Sequence, residues 1–223
     1  MDGWAAEDDV RPSRMPHALP IVYVVDDDIS VREALELLIS DYGWQAEIFE
    51  TAQQFLSRPR AAVPSCLLLD LSLPGVNGLD LQKRVAADRA HMPIIFITGY
   101  GDVPSTVQAM KAGAVEFLTK PWDDDALVTA IRQALERSRC ALDHEAEIRL
   151  LQDRYTSLSR REQEVMALIV RGMLNKQVGF ALGISEITVK AHRGRVMRKM
   201  LAKSFADLVN IAARLGIAHG DAA

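Results

Sequence analysis

Four places along this chain set a reactive side chain at the end of a short apolar run. Asp26, Asp27 and Asp28 follow Ile21–Val25, and Asp70 follows residues 66–69. Thr98 follows residues 94–97, and Lys120 stands just beyond residues 115–118 with Pro121 behind it. Three adjacent carboxylates repel one another unless something offsets their charge. A divalent cation is the simplest remedy, and hard oxygen donors favour Mg²⁺ or Mn²⁺. The same acids also fit a solvated loop leading into a helix, where negative charge is favourable anyway. Asp70 shifts the balance, because parallel strands would bring it to the carboxyl edge where open α/β sheets collect ligands. Acids, a hydroxyl and an ammonium meeting there would suit a carboxylate that accepts a phosphoryl group. The cation and the lysine would offset charge, and the hydroxyl would donate to a phosphoryl oxygen.

The elements that must position these groups are legible in the spacing of apolar residues. Short apolar runs alternate with amphipathic segments between Ile21 and about Arg137, which predicts a parallel sheet covered by helices on both faces. Five strands are expected, at Ile21–Val25, Gln45–Phe49, 66–69, 94–97 and 115–118. Helices are expected over 31–42, Ala52–Ser57, 79–87, 105–112 and 124–137, the first opened by a capping box of Ser30 with Glu33. Gly43, Gly101 and Gly113 fall where a helix stops or a loop turns. Residues 138–156 are rich in charge and sparse in apolar side chains, and are expected to form a helical linker.

Beyond Ser159 the pattern is purely helical, with start signals at Ser159 and Glu162, at Ser185, and at Ser204 and Asp207. Four helices are expected, near 160–171, 175–182, 186–200 and 205–214. Asn175 to Ser185, with a turn at Gly183, reads as a helix-turn-helix that runs into a basic second helix. That helix would set Glu186, Lys190, Arg193, Gly194 and Met197 broadly on one face, with Val189, Val196 and Met200 inward. A basic surface helix of an interaction module is the plainer alternative.

Composition sets bounds on all of this. The chain has 223 residues, about half of them apolar, and its longest apolar runs fall far short of the ~20 residues that cross a bilayer. Residues 1–19 carry no apolar core of the kind a secretory signal needs and are expected to be a flexible tail. Two cysteines, Cys66 and Cys140, suit a reducing compartment, with the cytoplasm as default. The net charge of −4 hides an asymmetry: residues 1–156 carry 15 Lys and Arg against 25 Asp and Glu, and residues 157–223 carry 11 against 5. A basic second half suggests a polyanionic partner.

The stretches VVDDD, LLLDLSLPGVNG, FITGYGD and FLTKPW resemble, as a set, the receiver domain of two-component response regulators, over roughly residues 21–137. That resemblance implies a flavodoxin-like α/β fold with five parallel strands in the order 2-1-3-4-5. It implies Asp70 as phospho-acceptor, and Asp26, Asp27, Asp70 and the backbone carbonyl of Ser72 as ligands of Mg²⁺ or Mn²⁺. Thr98 and Lys120 take the hydroxyl and lysine roles, and Thr98 with Phe117 forms the switch. Pro74 and Gly78 fit the loop after the acceptor, Asp28 is an outer acid, and Trp122 stands where phenylalanine is commoner.

The stretches LSRREQEV, GMLNKQV, LGIS and TVKAH resemble the helix-turn-helix domain of the LuxR/NarL/FixJ regulators, and the two halves together look most like its FixJ-like branch of nodulation and aromatic-catabolism regulators. The resemblance implies an all-α four-helix domain over 157–223 that binds double-stranded DNA. Asn175, Lys176, Thr188, Lys190, Ala191, His192, Arg193, Gly194, Arg195 and Lys199 are the expected DNA-contacting residues; local burial is the alternative for His192. Glu162 is expected to cap with Ser159 and to pair with a basic residue. Further expectations are a sensor histidine kinase as donor, a homodimer when phosphorylated, and RNA polymerase as partner. Enzymatic turnover would be limited to self-phosphorylation and slow autodephosphorylation.

Two other readings start from the same residues. A phosphohydrolase with an aspartyl intermediate needs a second acid two residues after the nucleophile, where this chain has Ser72. A pseudo-receiver controlled by a ligand or partner without phosphorylation would not need the full set of five site residues.

Overall fold

A computed structural model describes residues 19–99 and 103–217. Residues 1–18 of the tail expected over 1–19, and the turn at Gly101, lie outside the described residues. The chain divides into two compact units, Met1–Leu142 and Asp143–Ala223.

The first unit alternates β1 (Ile21–Val25), α1 (Ile29–Asp41), β2 (Gln45–Phe49), α2 (Ala52–Ser57), β3 (Ser65–Asp70), α3 (Gly78–Asp88), β4 (Ile94–Thr98), α4 (Val103–Lys111), β5 (Glu116–Thr119) and the first part of α5 (Asp124–Thr156). The five strands form one sheet in the order β2-β1-β3-β4-β5, every pair parallel. A two-residue antiparallel pairing of Ser72–Leu73 with Val76–Asn77 follows β3 and turns at Gly75, whose φ of 78° suits glycine.

The central strands are apolar throughout because both sheet faces are covered. On one face Tyr23, Val25, Leu67, Leu69 and Phe96 pack with Phe55, Leu81 and Val85. On the other Val22, Val24, Cys66, Leu68, Ile95 and Ile97 pack with Leu35, Ile39, Leu127, Ile131 and Ala134. Burial on both sides removes the alternation that would mark a one-sided sheet, and the strand ends are then the first places where polar side chains are tolerated.

The start of α1 corrects the sequence expectation. Its N-cap is Asp28, whose side chain accepts from the Ser30 N–H at 2.8 Å, so Ser30 lies inside the helix and forms no capping box with Glu33. α4 begins at Val103, two residues earlier than expected, since Pro104 is tolerated in a first helical turn. α5 runs unbroken through the expected linker to Thr156.

The second unit holds α6 (Arg160–Ile169), α7 (Asn175–Leu182), α8 (Glu186–Lys199) and α9 (Phe205–Arg214). Its core joins Val165, Met166, Ile169, Val178, Val189, Val196, Met200, Leu208 and Ala212 with Leu151 from the end of α5. Ser159 and Glu162 form the capping box of α6, and Ser185 and Ser204 cap α8 and α9. The turn between α7 and α8 takes Gly183 into the left-handed region at φ 65°. It also brings the backbones so close that a Cβ on Gly179 would lie 2.8 Å from the Ile184 carbonyl oxygen. Among the described residues no helix is long and apolar enough to cross a membrane.

Candidate carboxylate site and nucleic-acid interface

Strand register builds the first site. Val25 pairs with Leu69, Asp70 with Ile97 and Thr98 with Thr119, so the carboxyl ends of β1, β3, β4 and β5 finish side by side. Asp26, Asp70 and Thr98 are buried there, with Thr98 fully so, while Asp27 is exposed. One carboxylate oxygen from each of Asp26, Asp27 and Asp70 falls within 4.8 Å of the others. The Lys120 ammonium reaches both buried acids, donating to Asp26 Oδ2 and to Asp70 Oδ2 at 2.6 Å each. Its backbone N–H donates to the Thr98 carbonyl at 2.7 Å, which ties the lysine to the end of β4.

The remaining carboxylate oxygens are also engaged. Asp26 Oδ1 accepts from the Asp28 N–H and Asp70 Oδ1 from the Ser72 N–H, each at 2.9 Å. Ser72 therefore touches Asp70 through its amide. Asp28 is occupied as the cap of α1 and stays out of the cluster, in line with its reading as an outer acid. Burial pushes the Asp26 carboxyl up, partly opposed by the hydrogen bond from Lys120. Burial works against the Lys120 charge too, but its bonds to Asp26 and Asp70 outweigh it and hold the ammonium above its usual range. An anionic, oxygen-only cluster with a fixed ammonium at its side has the donor chemistry of a Mg²⁺ or Mn²⁺ site.

Three supports were not legible as such in the sequence. Arg32 Nη1 donates to the Asp26 carbonyl at 2.7 Å. Asn77 caps α3 by accepting from the Leu79 N–H at 2.9 Å. A Cβ on Gly78 would lie 2.8 Å from the Asp70 carbonyl oxygen and 3.2 Å from the Phe96 ring, so only glycine fits beneath Asp70. Phe117 is half-buried with its ring centroid 6.1 Å from that of Phe96.

In the second unit α8 presents a different face from the one expected. Val189 and Val196 are fully buried and fix the inward side; the opposite side carries Ile187, Ala191, Gly194 and Arg198, all exposed, flanked by Thr188, Lys190 and Arg195. At 3.6 residues per turn these positions fall in one stripe, and Ile187 was passed over. Lys176 on α7 is exposed as well, and Lys190 pairs with Glu186 at 3.1 Å.

Four of the expected DNA-contacting side chains, and Met197, make contacts within the unit. Arg193 Nη1 donates to Asn175 Oδ1 at 3.2 Å, and its guanidinium lies 4.8 Å from the Phe205 ring centroid. His192 is half-buried, its Nδ1 enclosed with no hydrogen-bond partner among the described residues. Lys199 donates to Glu162 Oε2 at 2.6 Å and to the Ser157 carbonyl at 3.0 Å. Met197 is half-buried against the core. The reason is common to all: each lies off the outward stripe and meets a neighbouring element. Glu162 is the ion-pair and capping residue expected, and Lys199 with the Ser159 N–H holds its carboxyl down at about 2 despite burial.

Comparison with known proteins agrees with both halves. The response regulator receiver domain matches residues 22–132, and the luxR family of bacterial regulatory proteins matches residues 156–218. Nodulation protein W of Bradyrhizobium diazoefficiens is 48% identical over 197 residues, covering 88% of this chain and 87% of that protein. The transcriptional regulatory protein FixJ of Azorhizobium caulinodans is 42% identical over 210 residues, 93% of this chain and 98% of that protein. The solved structure of the response regulator StyR matches with a TM-score of 0.78 at 44% identity, covering 88% of this chain and all of that one. A receiver-type sheet followed by a LuxR-type helical domain, with relatives of this similarity along nearly the whole length, places the chain among the FixJ-like response regulators, the transcription regulators of two-component systems.

Proposed function

We propose that Asp70 accepts a phosphoryl group from the phosphohistidine of a sensor histidine kinase, and that the phosphorylated chain forms a homodimer on operator DNA in the cytoplasm and engages RNA polymerase. The observation that carries this reading is the single ammonium of Lys120 shared between Asp26 and Asp70 at 2.6 Å. It holds the nucleophile at the open end of the sheet with one oxygen toward the lysine and one toward the Ser72 amide.

In the reaction an Asp70 carboxylate oxygen attacks phosphorus. The new P–O bond forms as the P–N bond to the histidine breaks, and the imidazole nitrogen leaves with that electron pair. Asp26, Asp27 and Asp70, with the Ser72 carbonyl, would hold the divalent cation, which when bound offsets the charge of the phosphoryl oxygens. Lys120 supplies the second positive charge, and the Thr98 hydroxyl donates to a phosphoryl oxygen. Drawing Thr98 toward the acyl phosphate frees space beside β4, and Phe117 turns inward to fill it. The exposed surface of α4, β5 and α5 is thereby reshaped, a shift between two packings. The protein is a switch with slow autodephosphorylation rather than a classical enzyme.

The receiver is assigned to residues 20–137, a linker to 138–156 and the DNA-binding domain to 157–223, preceded by a tail over 1–19. Lys176, Thr188, Lys190, Ala191, Gly194 and Arg195 are the residues turned toward DNA; Asn175, His192, Arg193 and Lys199 position them. Incubation of the full chain with a small acyl-phosphate donor and Mg²⁺ tests the acceptor. Label is expected on Asp70 and absent from Asp70→Asn; label that persists in the variant refutes the assignment.

A further inference from the structure

The outward stripe of α8 has an unusual make-up for a helix that meets a polyanion. Ile187 is 80% exposed, in the first turn of the helix, and is followed in line by the exposed Ala191 and Gly194. Over these first turns the charged groups stand to either side, Lys190 next to Glu186 on one flank and Arg195 on the other, and the line ends in the exposed Arg198 in the last turn. Among the described residues nothing accounts for these choices. A Cβ on Gly194 would meet nothing within 4 Å, and its φ lies outside the left-handed region, so neither packing nor backbone geometry requires glycine there. Glycine in a helix interior weakens the helix relative to alanine, and an exposed isoleucine gains no burial.

Both are explained by a partner that comes very close along this line. We propose that Ile187 and Ala191 read the C5-methyl groups of thymines in the major groove, and that Gly194 is a clearance position where the DNA approaches the helix backbone. Apolar side chains discriminate thymine through its methyl group, the only apolar feature the groove edge offers. The first turn of a recognition helix is the part that reaches base edges. Flanking lysine and arginine would take the phosphates and set the register without choosing bases. Specificity in this chain is therefore divided between a central apolar track and basic margins. This inference rests on the reading of α8 as the helix that enters DNA.

The test uses the full-length protein with phospho-donor and Mg²⁺. A duplex is first enriched by the protein from a random library, and its affinity is compared with that of the same duplex carrying deoxyuridine for each thymidine in turn, which removes only the methyl. At the contacted positions wild-type binding is expected to weaken by about fourfold per methyl, the equivalent of one buried methyl group. Ile187→Ala is expected to bind the thymidine and uridine forms equally at the position Ile187 reads. Gly194→Ala is expected to melt no lower than wild type and to lose affinity on the order of tenfold, the cost of one clashing contact in the groove. Wild-type affinity indifferent to every uridine substitution, an Ile187→Ala protein that still discriminates, or a Gly194→Ala protein that binds as tightly as wild type overturns the proposal while leaving DNA binding intact. Failure to enrich any duplex overturns the reading of α8 and this inference together.

Discussion

The Lys120 ammonium lies 2.6 Å from Asp70 Oδ2, a contact across 50 residues of sequence that sets a cation against the carboxylate proposed to act as nucleophile. The same ammonium meets Asp26 at equal distance, so one lysine neutralises part of two buried charges. Buried carboxylates are costly unless paired and hydrogen-bonded.

Replacing Lys120 by methionine removes that pairing while keeping much of the volume. Stability without metal is expected to fall by about 1.5–3 kcal/mol, the range for hydrogen bonds to charged groups. Millimolar Mg²⁺ should recover part of the loss, because cation binding to the folded state draws the equilibrium back. Thermal melting with and without Mg²⁺ measures both; a variant that melts like wild type in the absence of metal contradicts the role assigned to the lysine.

Gly179→Ala tests the helix-turn-helix geometry. Its new Cβ would lie 2.8 Å from the Ile184 carbonyl oxygen, a backbone atom held between α7 and α8. Relief requires the two helices to move apart, and a loss of about 1–3 kcal/mol is expected, as for other overpacked sites. Urea unfolding reads this directly, and an unchanged midpoint would mean the turn adapts freely.

Acid titration tests the Glu162–Lys199 pair. The Glu162 carboxyl is held at about 2 in the folded chain against an ordinary 4.5. Because the folded value is the lower one, the stabilisation is fully present above about pH 4.5 and drains away as pH falls toward 2. Wild type should therefore be more stable than Glu162→Gln at neutral pH, with the gap closing across that window. A gap that is independent of pH over the same range would show that the carboxylate charge is not what matters.

Much of this was legible in the sequence because burial on both faces of the sheet writes each central strand as an unbroken apolar run, and polar side chains then mark its end. Asp26, Asp70, Thr98 and Lys120 stand out for that reason. Local spacing misled where two chemically suitable residues compete. Asp28 and Ser30 are both good helix caps, and only the backbone geometry chooses Asp28. It was silent where a basic side chain has a distant partner. Lys199 meets Glu162 across 37 residues and Arg193 meets Asn175 across 18, contacts set by helix packing and carried by no local motif. Ile187 shows the converse case, an apolar side chain that spacing gave no role and that the fold leaves outside.

The central proposal is that a phosphoryl group on Asp70 governs DNA binding by the helix-turn-helix. The most direct measurement is the affinity of the full chain for its enriched duplex, followed by fluorescence anisotropy before and after treatment with phospho-donor and Mg²⁺, for wild type and Asp70→Asn in parallel. Treatment is expected to tighten and steepen the wild-type binding curve, as a dimer assembles on the operator, and to leave the Asp70→Asn curve unmoved. Equal curves for treated and untreated wild type, or an equal gain in Asp70→Asn, would contradict it.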